Sequence, residues 1–186
     1  MQEVAFKGKK IRSAVSSPKE TRGSVVMIFR ADKDRVYTIF DQQKKYIEFS
    51  RKMIEDQLTN VPKDHTPATV TRTGKTQKLL GYNCEQILLT QGETTIELWG
   101  TSELPQLRKA MESLNSFQKH NIPQWSKEVE KLRLFPMKTI MNIKGSRAET
   151  TVTSIQKKSL PEPMFNIPAG YTKQQLPVGQ PGMKKP

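Results

Sequence analysis

Cysteine and histidine are scarce in this chain of 186 residues. It contains one cysteine, Cys84, and two histidines, His65 and His120. A single thiol excludes an intramolecular disulfide, and so few soft ligands make a Cys-rich or His-rich metal site hard to build. A buried thiol packs as a small apolar group in either redox environment. We therefore expect Cys84, which falls on a strand pattern, to lie in the core, and the compartment stays open.

Long apolar runs and glycine-rich loops are also missing. No stretch approaches the roughly 20 apolar residues of a membrane-spanning helix, and the chain opens without the apolar core of a signal peptide. The glycines Gly74, Gly81 and Gly92 are isolated at expected corners, so they form no phosphate-binding loop. These absences predict a soluble chain with no transmembrane segment.

The sequence offers two carboxylate pairs for acid–base chemistry but no further catalytic group beside either of them. Glu93 and Glu97, or Glu128 and Glu130, are close enough in sequence to share a site. No further group completes a mechanism around either pair. We expect no catalytic residues, no cofactor and no metal, and hence a protein that is not an enzyme.

Basic residues outnumber acidic residues. The 31 Lys and Arg against 18 Asp and Glu give a formal net charge of +13, and no compact basic motif concentrates it. A positive surface attracts anions such as phospholipid head groups or nucleic acid. The basic cluster at residues 7–12 is typical of a solvated face. We therefore treat nucleic acid as the less favoured partner.

Strand patterns dominate the chain. Runs of β-branched and aromatic residues, separated by short polar or glycine-containing turns, predict antiparallel meanders. A first meander is predicted at residues 4–15, 24–30, 35–40 and 45–50. A second is predicted at residues 68–73, 77–80, 83–90 and 94–101, and two later strands at 135–144 and 147–157.

Helical patterns interrupt these strands. A short helix is predicted at residues 51–58, and an apolar stripe with three- and four-residue spacing predicts a longer one at 104–117. A third, shorter helix is predicted around residues 125–132, packed in the same way. The combination predicts an α+β fold, in which two or three helices cover the concave face of one curved antiparallel sheet. We expect a single domain over residues 1–173 and a disordered tail at 174–186.

Three motifs carry a family resemblance. They are Gly-Tyr-Asn-Cys-Glu at residues 81–85, Glu-Leu-Trp at 97–99, and Phe-Asn-Ile-Pro-Ala-Gly-Tyr at 165–171. In this order they resemble a bacterial envelope family, domain of unknown function 4412, whose members look like relatives of the lipoprotein carriers LolA and LolB and of RseB. The resemblance implies a half-open antiparallel β-barrel closed by helices. It also implies a location in the bacterial periplasm or at the outer membrane.

Methionine and aromatic residues supply a candidate ligand cavity. Methionine fills irregular apolar space and accepts varied ligands. The alternative is an ordinary core that contains methionine, and the resemblance to lipoprotein carriers is what favours a cavity. The candidate lining residues are Met27, Phe40, Phe49, Trp99, Leu107, Met111, Leu114, Phe117 and Met141.

Two functions remain open. In the first, an apolar half-barrel cavity binds a lipid, an acyl chain or a lipoprotein, while the basic surface attracts anionic head groups. In the second, a structural or interaction protein binds another envelope protein or a polyanion through its exterior, with edge strands adding a strand from the partner.

Overall fold

We describe a computed structural model of the chain at residues 2–15, 25–58, 66–115 and 124–175. The chain divides into two compact units, Met1–Arg51 with Leu160–Pro186, and Lys52–Ser159. We call them the first and second units. The single domain expected over residues 1–173 stays a prediction, and the tail expected at 174–186 lies almost wholly outside the described residues.

Strands form most of the described structure. Those of the first unit are β1 (Gln2–Lys7), β2 (Lys10–Val15), β3 (Val25–Arg30), β4 (Arg35–Phe40), β5 (Lys45–Ser50) and the late β11 (Thr172–Lys173). Those of the second unit are β6 (Thr69–Leu79), β7 (Tyr82–Gln91), β8 (Thr94–Thr101), β9 (Phe135–Ile143) and β10 (Ser146–Thr151). The helices are α1 (Arg51–Leu58), α2 (Pro105–Asn115) and α3 (Gln124–Leu132). No described helix is long and apolar enough to cross a membrane.

The first unit contains a six-stranded sheet. Strands β1 to β5 pair antiparallel in chain order, and β11 adds to β5 in parallel. The run at residues 4–15, predicted as one strand, folds as the hairpin β1–β2, with Lys7 opposite Lys10. Gly8, at φ +58°, supplies the left-handed conformation that this turn needs. The sequence signal for the hairpin was thus a single glycine between two lysines.

One face of this sheet, here called the core face, is covered by the C-terminal segment, residues 160–171. Phe165, at the end of a 3-10 turn (Glu162–Phe165), is fully buried against Val26, Ile28 and Ile39. The segment therefore contains one short helical turn. This turn is what places the Phe165 ring over the centre of the core face.

The second unit contains a five-stranded antiparallel sheet in the order β10-β9-β8-β7-β6. Leu98 packs in a cluster with Trp125 and Val129 of α3, whereas Trp99 packs in a cluster with Leu107 of α2. Consecutive residues of a strand point to opposite faces. The two helices therefore cover opposite faces of this sheet.

The expected fold class is wrong. We predicted one curved antiparallel sheet, a half-open barrel, with the helices on its concave face. The described structure is mostly β and consists of two sheets, neither of which closes into a barrel. One strand pair, β5 with β11, is parallel. The chain leaves β5 through α1, and β11 then occupies the edge of β5, so β6 pairs with β7 alone. Both faces of the second sheet carry apolar side chains, so α2 covers one face and α3 covers the other.

Smaller expectations have mixed outcomes. Cys84 is buried in the core, as predicted. The turns at Gly81 and Gly145 are the pairs Leu80–Gly81 and Lys144–Gly145, and both residues of each pair have positive φ. The last strand of the second sheet ends at Thr151 instead of continuing to residue 157.

Candidate functional site

The first sheet has a second face, opposite the core face, that is unusually apolar. Directly paired residues of antiparallel strands lie on the same face, so the register defines this surface as three rows across β1 to β5. The rows are Phe6, Ile11, Phe29, Val36, Phe49; then Val4, Ser13, Met27, Thr38, Ile47; then Gln2, Val15, Val25, Phe40, Lys45. Eleven of the fifteen residues are apolar, and we call this surface the apolar face.

Exposure increases from the first row of the apolar face to the third. In the first row Ile11 and Val36 are buried, with exposed fractions of 2% and 3%. In the second row Met27, on the central strand β3, is 36% exposed, and in the third Val15 is 48% exposed. Contiguous exposed apolar surface on a soluble protein marks a binding site more often than it marks ordinary surface. The outer two rows therefore form the candidate site.

The chemistry available on this face is limited. Lys45, exposed at the margin, is its one titratable side chain. The side-chain amide of Gln2 donates a hydrogen bond to the Ser13 hydroxyl at 2.9 Å, and no basic side chain on this face adjoins that hydroxyl. Such a surface has neither an activated nucleophile nor an acid–base pair. It can bind apolar groups, and it has a cation at its edge.

The structure distributes the predicted cavity residues over both units. Met27, Phe40 and Phe49 lie together on the apolar face. In the second unit, Trp99, Leu107 and Met111 pack against a cluster of Cys84, Phe135 and Met137. Met141 packs instead in the cluster covered by α3, on the other face of that sheet. The Leu114 side chain and Phe117 lie outside the described residues.

Several members of the apolar face were missed. The missed members are Phe6, Phe29 and Ile47, which lie on the same face as Met27. They were not among the predicted cavity residues. The available signal was their alternation along each strand, which places them with Met27 once the strand register is known.

Polar groups of the second unit are held in structural contacts. The indole of Trp99 donates a hydrogen bond to the Glu97 carboxylate at 2.7 Å. This bond, and a second from Gln86, lower the pKa of Glu97, so it stays ionised at neutral pH. Burial raises the pKa of the Cys84 thiol, which makes it a poor nucleophile. Among the described residues, no cluster of three His, Cys, Asp or Glu side chains could hold a metal ion.

Comparisons with known proteins give one family and one partial relative. The chain is 34% identical over 71 residues to a GM1b/asialo-GM1 oligosaccharide-binding R-type lectin of Mytilisepta virgata. That match covers 38% of this chain and 54% of the lectin, so the chain spans about half the length of the curated relative it matches. No solved structure matches. The profile of a family described as a domain of unknown function (DUF4412) matches residues 1–171, and because this is nearly the whole chain, the protein belongs to that family.

Proposed function

We propose that the protein is a non-enzymatic binding protein whose apolar face holds the acyl chain of a lipid or a lipoprotein. The observation that carries the proposal is the exposed Met27 on the central strand of the first sheet, which shares the apolar face with Phe40 and Ile47. Each buried methylene contributes roughly 0.8 kcal/mol, so a chain that covers even part of two rows would bind usefully.

Charge supports the same ligand class. Lys45 lies at the exposed margin of the apolar face, and the chain carries a net charge of +13. A cation at the edge of an apolar surface suits an amphiphile with an anionic head group, because the surface buries the acyl chain while the cation attracts the head group. Apolar burial supplies the affinity, and the positive surface speeds the approach.

Two exposed apolar residues on interior strands allow a matched test. Met27→Glu places a charge on the apolar face, whereas Leu88→Glu places one on β7 of the second sheet, where Leu88 is 40% exposed. Titration with a fluorescent fatty acid is expected to show saturable binding that Met27→Glu weakens at least tenfold and Leu88→Glu leaves unchanged. Equal affinity in both variants, or no saturable binding by the wild type, would refute the proposal. Circular dichroism checks that both variants fold.

A second candidate function is an interaction protein that binds another envelope protein or a polyanion. It is favoured by the edge strand β10, all six residues of which are exposed, because an exposed edge can accept a strand from a partner. In this case binding weakens as salt screens the surface charge and survives Met27→Leu. The acyl-chain proposal predicts an affinity that changes little with moderate salt, because apolar burial supplies most of it.

Kinship with LolA, LolB and RseB, and a location in the periplasm or at the outer membrane, belong to the same proposal. The support is the order of the three motifs at residues 81–85, 97–99 and 165–171. Native mass spectrometry with lipid analysis, applied to protein purified from separated cytoplasmic and envelope fractions, tests the location and the ligand together. Recovery from the cytoplasmic fraction alone would contradict the location.

A further inference from the structure

The thioether of Met27 is the group on the apolar face that oxidants attack most readily. Met27 is the central member of the middle row, between Ser13 and Thr38 of the neighbouring strands, and it is 36% exposed. The other members of the face have aliphatic, phenyl, hydroxyl or amide side chains, apart from the ammonium of Lys45. These groups resist peroxides, whereas a methionine thioether is converted to a sulfoxide. An oxidant that reaches this face therefore modifies Met27 first.

Most other methionines in the described ranges are shielded from an oxidant. Met137 is 1% exposed. Three more are partly buried and pack against core clusters, namely Met111, Met141 and Met164. Met53, in α1, is 40% exposed and so resembles Met27 in access. Since an oxidant must contact the sulfur, Met27 and Met53 should react before the other four. Met53 is not part of the apolar face, so it serves as an internal control.

Oxidation would change the polarity at the centre of the apolar face. Hydrogen peroxide transfers one oxygen atom to the Met27 sulfur: the O–O bond breaks, an S–O bond forms and water is released. The sulfur gives up two electrons, which reduce the peroxide. The sulfoxide is polar, and methionine sulfoxide reductases convert it back to the thioether. Because Met27 is exposed, the sulfoxide oxygen stays hydrated in the free protein and the fold is retained.

A bound acyl chain would lose this hydration. A chain that lies along the outer two rows covers Met27, and it must remove water from the sulfoxide oxygen to do so. Burying a polar group without a hydrogen-bond partner costs free energy, whereas covering a thioether does not. The reduced form of Met27 thus favours the bound chain, and the oxidised form opposes it.

We propose that Met27 is a reversible oxidation site and that its conversion to the sulfoxide switches off acyl-chain binding on the apolar face. The inference rests on the acyl-chain function proposed above and adds its regulation. The oxidant belongs to the class of two-electron oxygen donors, such as peroxides. One sulfur atom then sets the affinity of the whole face, because it lies on the central strand at the middle of the exposed rows.

Peptide mapping by mass spectrometry tests the modification site. During limited treatment with hydrogen peroxide, Met27 and Met53 are expected to gain one oxygen atom several times faster than Met137. Oxidation of Met137 at the same rate as Met27, or before it, would overturn the proposal.

Titration with dansylundecanoic acid, a fluorescent fatty acid, tests the effect on binding. The oxidised wild type is expected to bind at least fivefold more weakly than the untreated protein, and a methionine sulfoxide reductase should restore the affinity. Met27→Leu retains an apolar side chain of similar volume, so it should bind like the wild type both before and after peroxide. Met53→Leu is the matched control, and peroxide should weaken its binding as much as it weakens the binding of the wild type.

The outcomes separate this inference from the acyl-chain function. Saturable binding that peroxide leaves unchanged, or an equal loss in Met27→Leu, would refute the switch and leave the acyl-chain function intact. Absence of saturable binding by the untreated wild type would refute both. Met27→Gln introduces a polar side chain of similar length without any oxidant. It should reproduce the weaker binding even where peroxide damages other residues, and circular dichroism checks that each form is folded.

Discussion

The guanidinium of Arg30 and the carboxylate of Asp32 are joined by two hydrogen bonds, Nε to Oδ1 at 2.9 Å and Nη2 to Oδ2 at 2.7 Å. Arg30 is 7% exposed, and its remaining nitrogen donates to the Phe165 carbonyl and to Asn166. One side chain thus links the end of β3 to the segment that supplies the buried phenylalanine. We infer that Arg30 secures the C-terminal segment to the core face.

Replacing Arg30 tests this role. Arg30→Met leaves the buried Phe165 carbonyl without its donor and the exposed Asp32 without its partner, so the free energy of unfolding should fall by about 2 kcal/mol. Urea denaturation followed by circular dichroism measures the loss. Arg147→Met, which removes an exposed pair with Glu149, is the control and should cause no measurable change. Equal losses in the two variants would show that Arg30 has no special role.

The same pair makes stability depend on pH. The hydrogen bond from Arg30 lowers the pKa of Asp32 from 3.8 to about 2. Because the folded-state pKa is lowered, the stabilisation is present above pH 4 and is lost as the pH falls towards 2. The difference in unfolding free energy between the wild type and Asp32→Asn should therefore shrink over that range. A difference that stays constant from pH 6 to pH 2 would mean that Asp32 does not titrate with folding.

Most strands of this protein could be predicted from sequence, although β6 was expected as two strands and β1 with β2 as one. Their assembly into sheets could not be predicted. The apolar run in β7 between glycine-containing turns is a local pattern, and it identified that strand correctly. Which strand occupies a sheet edge is decided by distant chain segments. Nothing near Lys45 indicates that Thr172 will pair with it across more than a hundred residues. Because β11 and not β6 pairs with β5, the described strands form two sheets instead of the expected one.

The candidate site shows the same limit. Met27 and Phe40 were selected by residue type, and they lie on the apolar face. Phe29 was not selected, because its membership follows from a strand register that no single segment contains.

The turn between β6 and β7 contains a leucine in an unfavourable backbone conformation. Leu80 has φ +51° and Gly81 has φ +86°, which places both residues in the left-handed region. Asparagine adopts this conformation far more readily than leucine, and Asn-Gly is the preferred pair for such two-residue turns. Because Leu80 is 47% exposed, Leu80→Asn should raise the unfolding free energy by about 1 kcal/mol. Thermal denaturation measures the gain.

A matched variant separates the turn effect from removal of an exposed leucine. Leu88→Asn makes the same substitution at a similarly exposed residue inside β7, where the backbone is extended. It should lower stability, because asparagine is disfavoured in strands. Stabilisation by both variants would attribute the gain to loss of apolar surface instead of to the turn.

Gly100 in β8 is required by a close neighbour. A Cβ atom added there would lie 2.8 Å from the Cβ of Leu134, which precedes β9 and is buried. Since a Cβ atom is fixed to the backbone, rotation of the leucine side chain cannot relieve that contact, and the strands themselves must move. Gly100→Ala should therefore lower the unfolding free energy by about 1 to 3 kcal/mol. Thr95→Ala, at an exposed residue of the same strand, is the control and should change stability much less in urea denaturation. If chain entropy decided the outcome, Gly100→Ala would instead be stabilising, and that result would show that the close approach of Leu134 is not maintained in solution.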